Sequence, residues 1–153
     1  MANQVRKLLV ITGFALFLAA AEGLILCSPL YAADGDLDPT FGSAGKVTTD
    51  FGGSNDYASS IALQPDGKIV VAGYSSLGGG LGDFALARYN PDGSLDTGFG
   101  SAGKVTTDFG GIRDGAHSVA LQPDGKIVVA GYSSVAGGGD FTLARYNPDG
   151  SLD

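Results

Sequence analysis

The 153-residue sequence is short of several residue types, and each shortage excludes a class of protein. Cys27 is the only cysteine, so an intrachain disulfide is excluded. His117 is the only histidine, so one chain cannot assemble the Cys and His ligands of a structural zinc site. Tryptophan is absent, and of 16 acidic residues only Glu22 is not an aspartate. Helix formers such as glutamate and glutamine are therefore scarce, which favours a β-rich chain with many turns.

Positive charge is scarce as well. The chain has 9 Lys and Arg against 16 Asp and Glu, and a formal net charge of −7. Nucleic-acid binding requires a basic face, so this composition argues against that function. The acidic residues lie mainly in turn motifs, which fits a protein that avoids anionic surfaces.

What the chain has in quantity is glycine, with 26 residues, and one long motif that occurs twice. The stretch ALQPDGKIVVAGYSS covers residues 62–76 and returns letter for letter at 120–134. Pro65 suits the first central position of a type I turn, Asp66 suits the next, and Gly67 can adopt the positive φ that closes a hairpin. The run IVVA after the turn is apolar at consecutive positions, which indicates a strand covered on both faces.

The first 33 residues have the pattern of a secretory signal peptide, which we expect to be helical. The basic pair at 6–7 precedes an apolar run at 8–26, and small residues then predict cleavage after Ala32 or Ala33. Two alternatives stay open. The first is a lipoprotein signal with Cys27 as the lipid-carrying residue, although Leu26 stands where such a signal requires a small residue. The second is an uncleaved membrane anchor. After cleavage the chain has no membrane segment. We therefore predict a secreted, extracellular or cell-surface protein, with the periplasm as an alternative.

From Asp34 onward the sequence is two copies of one unit and a short remainder. We divide it into a first repeat at 34–91, a second at 92–148 and the start of a truncated third at 149–153. The copies are related by an offset of 58 residues, which becomes 57 after the second, shorter glycine loop. The first repeat contains four candidate strands, at residues 46–51, 57–64, 68–76 and 83–90.

Four antiparallel strands per unit, buried on both faces by neighbouring units, are typical of a β-propeller blade. We predict an all-β chain of two such four-stranded blades and a stub. An eight-stranded β-sandwich is the alternative, and the tandem period favours blades.

The motifs LQPDGKIVVAGYSS, DFALARYNPDGSLD and FGSAGKV resemble the delta-60 repeat, a bacterial β-propeller-like repeat of secreted and surface proteins. The resemblance covers nearly all of residues 34–153. It implies a propeller fold, and it implies no catalytic residue, because that family is defined by its repeat and not by an activity. Its members are usually longer than this chain.

Two blades would leave two apolar sheet faces open, whereas propellers close with about four to eight blades. The expected partners are therefore further blades of a longer protein in cis, or identical chains in trans that close one ring. The remainder at 149–153 resembles a cut through an array, so we favour a fragment of a longer protein.

Alternating acidic residues in the turns after the fourth strand suggest a calcium loop. The candidate ligands are Asp92, Asp96, Asp149 and Asp153. The glutamate that completes an EF-hand is missing, and turn formation alone explains these residues, so we expect no cofactor and keep calcium as the alternative. Residues 98–104 match short phosphate-loop patterns, but a strand and not a helix is predicted after them, which argues against nucleotide binding.

We predict a non-catalytic binding or scaffold module with a glycan or protein ligand. The alternative is a fragment of a propeller hydrolase or lyase whose catalytic residues lie in other blades. Binding is expected at the loops where the two copies differ: Ser54, Asn55 and Tyr57 against Ile112, Arg113 and Gly115. Four tyrosines are candidates for a glycan groove, with core packing as the simpler reading: Tyr74, Tyr89, Tyr132 and Tyr146. Arg88 and Arg145 are read as structural partners of turn aspartates.

Overall fold

The computed structural model of the chain describes residues 34–53, 55–76, 82–134 and 138–153. The predicted helical signal peptide, Cys27, Ser54 and most of the first glycine loop lie outside these ranges. In the described part the chain is all-β, with seven strands in two antiparallel sheets and no helix. None of the described residues forms a helix of the length and apolar character needed to span a membrane.

The strands follow one another in each sheet in chain order. The first sheet contains β1 (Asn55–Leu63), β2 (Ile69–Ser76), β3 (Asp83–Tyr89) and β4 (Lys104–Thr107). The second sheet contains β5 (Asp114–Leu121), β6 (Ile127–Ser133) and β7 (Asp140–Tyr146). Both sheets are antiparallel meanders, as expected for propeller blades.

The predicted hairpin is confirmed in both copies. Gly67 has a φ of 83° and Gly125 a φ of 84°, a region that side chains with a Cβ rarely enter. The Gly67 N–H donates to the Gln64 carbonyl at 2.9 Å, and the Gln64 N–H donates to the Lys68 carbonyl at 2.8 Å. The glycine therefore closes the turn that brings β1 beside β2, and its counterpart joins β5 to β6.

The strand predicted at residues 46–51 of the first repeat is wrong. These residues belong to no sheet in the described chain, whereas their counterpart in the second repeat is β4. This strand pairs with β3 of the preceding repeat, with Leu86 opposite Val105. The first sheet therefore crosses the repeat boundary at 91/92. Alternating side chains predict that a strand exists, but they do not determine which neighbour it pairs with.

Each sheet has two faces, which we name after their residues on the third strand. The Phe face carries Phe84 and Leu86 in the first sheet, and Phe141 and Leu143 in the second. The Ala face carries Ala85 and Ala87 in the first sheet, and Thr142 and Ala144 in the second. Cross-strand partners share a face, so these names cover whole rows of residues.

The core lies where the Phe face of the first sheet packs against the Ala face of the second. Phe84 and Leu86 are fully buried there, together with Val129 and Ile127 of the second sheet. A Cβ added to Gly131 would lie 2.7 Å from the Phe84 ring, so the glycine provides the space that this ring occupies. Apolar burial between the sheets is thus the main attraction that holds them together.

Residues 47–51 lie against the Ala face of the first sheet and bound a cavity of about 340 Å³ with it. Thr49 and Tyr89 share a hydrogen bond of 2.6 Å between their hydroxyl groups. The second repeat has the same contact, where the Tyr146 hydroxyl donates to Thr107 at 2.8 Å. Residues 47–51 therefore take the place, relative to the first sheet, that β4 takes relative to the second.

Candidate functional site

A cleft of about 280 Å³ lies where the edges of the two sheets meet. It is lined by residues of both repeats: Asn55, Tyr57, Tyr74, Ser76, Gly82, Arg113, Asp114 and Tyr132. Three of the positions at which the copies differ, Asn55, Tyr57 and Arg113, are among them. The loop prediction is consistent with this placement, although Ser54 lies outside the described residues and Ile112 is exposed beside the cleft and not in its lining.

The cleft walls are aromatic. Tyr57 and Tyr74 are stacked, with ring centroids 4.9 Å apart. Tyr132 of the second sheet also belongs to the lining, and Gly115 stands where the first copy has Tyr57. A Cβ at Gly115 would lie 2.8 Å from the Tyr132 ring, so the Tyr-to-Gly difference between the copies lets that ring pack close to β5.

The polar side of the cleft comes from Arg113 and Asp114. Arg113 is exposed, and its carbonyl accepts a hydrogen bond of 2.9 Å from the Ser134 N–H, which fixes its backbone. Asp114 is almost completely buried, and its Oδ2 atom accepts a hydrogen bond of 2.7 Å from the Phe109 N–H. The cleft therefore combines flat aromatic rings with one exposed cation and a fixed backbone.

Asp114 also belongs to a group of three carboxylates at the sheet boundary. One oxygen each of Asp83, Asp108 and Asp114 lies within 4.8 Å of the other two. Burial raises the pKa of Asp83, and the negative charges of Asp108 and Asp114 raise it further. This group could not be predicted from the sequence, because Asp83 belongs to one repeat and the other two residues to the next. Only the packing of the sheets brings them together.

The calcium candidates lie in turns and ion pairs. Asp92 accepts hydrogen bonds from the Ser94 hydroxyl at 2.6 Å and from the Ser94 N–H at 2.9 Å. These bonds hold the pKa of Asp92 below its ordinary value, and the same turn with Ser151 does so for Asp149. Two bonds to one serine close a tight turn, which is the structural alternative named above.

The other two candidates are paired with arginines. The Arg88 Nε atom donates to Asp96 at 2.8 Å, and the Arg145 Nε atom donates to Asp153 at 2.6 Å. Burial alone would raise the pKa of Asp96, but the Gly98 N–H and the charge of Arg88 outweigh burial and lower it. The structural reading of both arginines is confirmed. Within the described ranges, no group of three potential metal ligands contains any of the four calcium candidates.

The four tyrosines divide into two pairs. Tyr146 is fully buried, and Tyr89 is bonded to Thr49, so these two serve packing. Tyr74 and Tyr132 are half-buried and line the cleft, which is where the groove reading fits.

Two further sequence motifs have simple places in the fold. Residues 98–103 form a turn that leads into strand β4, so the helix that a phosphate loop requires is replaced by a strand. His117 lies at a β-bulge between Ala116 and Ser118. The bulge interrupts the regular alternation of side chains along the strand, and both His117 and Ser118 line the same cavity on the Phe face of the second sheet.

One family matches the chain, described as "Domain of unknown function (DUF5122) beta-propeller". It matches residues 64–99 and 122–153, one segment in each repeat and in the same phase. The matches support a β-propeller repeat family, and the two antiparallel sheets are consistent with its blades. No protein in the curated comparison matches the chain.

Proposed function

We propose that this β-propeller-like repeat scaffold is a secreted or cell-surface chain of the delta-60 type that binds a glycan without chemical turnover. The observation that carries the proposal is the cleft between the two sheets, which is lined by the stacked pair Tyr57 and Tyr74 and by Tyr132 of the second sheet. Three of its lining residues, Asn55, Tyr57 and Arg113, are at positions where two otherwise near-identical repeats differ.

The chemistry of the cleft suits a sugar. Tyrosine rings offer an apolar face to the C–H side of a sugar ring, and their hydroxyl groups are available at a wet rim. Arg113 is exposed in the lining and can donate several hydrogen bonds to ring hydroxyls or to a carboxylate of an acidic sugar. An acidic sugar also suits Arg113 better than a basic ligand would.

A scaffold role is supported by the structural use of the repeated charges. Arg88 is buried, bonds to Asp96 and lies 4.5 Å from the centre of the Phe99 ring. Its counterpart Arg145 bonds to Asp153. These charged side chains tie the turn after β3 or β7 to the strand itself.

Export is supported by the basic, apolar and small-residue order of the first 33 residues. Expression of the full chain followed by N-terminal sequencing of the protein in the medium tests it. A new terminus at Ala33 or Asp34 is expected. Retention of the intact chain in the membrane fraction would contradict export and support the anchor alternative.

A glycan array probed with the chain tests binding, with Arg113→Ala as the site variant and Arg145→Ala as its matched control. Arg113→Ala should lose the signal, while Arg145→Ala, which lies outside the cleft, should keep it. Equal loss in both variants, or no signal at all, would contradict the proposal. Release of shortened sugars from a bound glycan would instead favour the hydrolase or lyase alternative.

A further inference from the structure

We propose that the Phe face of the second sheet binds the Ala face of the first sheet in a second copy of this chain. Residues 46–49 of that copy then add to β7 as a fourth strand. The inference rests on the two outer faces of the sheet pair, and Tyr132 is the residue that lines both the glycan cleft and the cavity on the Phe face of the second sheet.

The Phe face of the second sheet is bare in the described structure. Phe141 is fully exposed and Leu143 is 71% exposed, although their counterparts Phe84 and Leu86 are completely buried. A cavity of about 530 Å³ lies on this face, lined by residues that include His117, Tyr132 and Phe141. Large exposed apolar patches of this kind mark association sites.

The contact between the two sheets shows which kind of surface covers a Phe face. The Phe face of the first sheet is covered by the Ala face of the second, where Val119 and Leu121 pack against the core. The counterparts of these two residues in the first sheet are Ile61 and Leu63, which are 63% and 69% exposed. Each chain therefore carries both halves of a contact that it already makes internally, and on the Ala face of the first sheet the exposed part is the one that contains Ile61 and Leu63.

The strand edges match in the same way. Strand β3 is paired with β2 on one edge and with β4, along residues 84–87, on the other. Strand β7 is paired with β6 on one edge, and no described strand pairs with its other edge along residues 141–144. Residues 47–49 belong to neither of the described sheets. The hydrogen bond between Thr49 and Tyr89 fixes residues 47–49 against the first sheet, as the bond between Thr107 and Tyr146 fixes β4 against the second sheet. Since β4 is the outer strand of the sheet that precedes the second sheet, residues 47–49 are already placed to be the outer strand of a sheet that precedes the first.

The register follows from the internal pair. Ala85 lies opposite Thr106 and Leu86 opposite Val105 in the first sheet. Applying the repeat offsets places Thr142 of one copy opposite Thr48 of the next, and Leu143 opposite Val47. Addition of a strand to an open sheet edge supplies backbone hydrogen bonds, while the covered faces supply apolar burial.

This contact joins two different surfaces, so it repeats head to tail and either closes into a ring or grows as an open array. Sedimentation velocity across a range of protein concentrations measures this self-association. The sample is the chain that is recovered after the full sequence, with its own N-terminal segment, has been expressed. Phe141→Asp should weaken association by about 30-fold, as expected for a central apolar anchor. Ile112→Asp is the control, because Ile112 is an exposed apolar residue outside both faces.

A ring of one defined mass and an open array both support the inference if Phe141→Asp weakens their formation by about 30-fold. A chain that stays monomeric at every concentration overturns it, as does association that Phe141→Asp leaves unchanged.

Disulfide trapping tests the register directly, in a Cys27→Ser background. A Thr48→Cys chain mixed with a Thr142→Cys chain should form the mixed disulfide under mild oxidation, because directly opposed cysteines satisfy disulfide geometry. A Thr48→Cys chain mixed with a Phe141→Cys chain is the control, since neighbouring residues point to opposite faces of a strand. Equal trapping of both mixtures would refute the predicted pairing even if the chain self-associates.

Discussion

Phe84 and Phe141 occupy the same place in the repeat, in the segments DFALARY and DFTLARY, but the fold treats them differently. Phe84 is fully buried between the sheets and meets Phe109 edge to face, with ring centroids 4.8 Å apart. Phe141 is fully exposed on the Phe face of the second sheet. Replacement of each by alanine therefore compares two identical substitutions in two environments.

The expected costs differ by several kcal/mol. Loss of a buried phenylalanine side chain costs about 3–5 kcal/mol, from lost burial and from the cavity that remains. The edge-to-face contact with Phe109 accounts for roughly 1 kcal/mol of that loss. Phe141→Ala should change the free energy of unfolding by less than about 0.5 kcal/mol, as for most exposed positions. Since domains are stable by about 5–15 kcal/mol, Phe84→Ala should remove a large part of the total.

Urea unfolding followed by circular dichroism measures both variants, at a concentration low enough for the chain to be monomeric. The midpoint should fall for Phe84→Ala and stay for Phe141→Ala, with an unchanged slope in both. Leu86→Ala and Leu143→Ala should repeat the contrast, because Leu86 is buried and Leu143 is exposed. Equal costs within either pair would refute the packing of the first sheet's Phe face against the second sheet.

Two further predictions use matched positions. The pKa of Asp83 is raised in the folded state, so its charge lowers stability above that pKa, and the penalty disappears as the pH falls to the ordinary aspartate value. Asp83→Asn should therefore raise the free energy of unfolding by roughly 0.5 kcal/mol at pH 7 and by almost nothing near about pH 4. The control is Asp140→Asn at the exposed counterpart position, which should change the free energy of unfolding little at either pH. A loss of stability in Asp83→Asn that requires calcium would contradict the repulsion and indicate a bound ion. Gly125→Ala should lower the free energy of unfolding by about 1–2 kcal/mol, because φ is positive at this residue. Gly138→Ala is the control and should leave it unchanged, because an added Cβ meets nothing within 4 Å. Equal melting temperatures of the two variants in thermal unfolding would contradict the turn assignment.

Local features of the fold could be predicted from the sequence. The turn at Pro65, Asp66 and Gly67 depends on three adjacent residues, and the structure has it as predicted. The outward direction shared by Ile61 and Leu63 also follows from strand alternation. What alternation could not predict is burial, since Leu63 is exposed while its counterpart Leu121 packs against the core.

The pairing of β4 could not be predicted, because it is a choice between two neighbours that look alike in sequence. A strand such as KVTT has the same local pattern whether it joins its own repeat or the preceding one. The choice depends on long-range packing, in which Val105 lies opposite Leu86 and Thr107 bonds to Tyr146. The carboxylate group of Asp83, Asp108 and Asp114 was missed for the same reason, since it exists only once two repeats are packed together.

The most direct test of the account is the pairing partner of β4, measured by interstrand nuclear Overhauser effects on selectively labelled protein. Contacts between the backbones of residues 84–87 and 104–107, with Leu86 opposite Val105, are predicted. Contacts from residues 104–107 to β5 of their own repeat, with none to β3, would show that each sheet stays within one repeat and would contradict the structure on which both proposals rest.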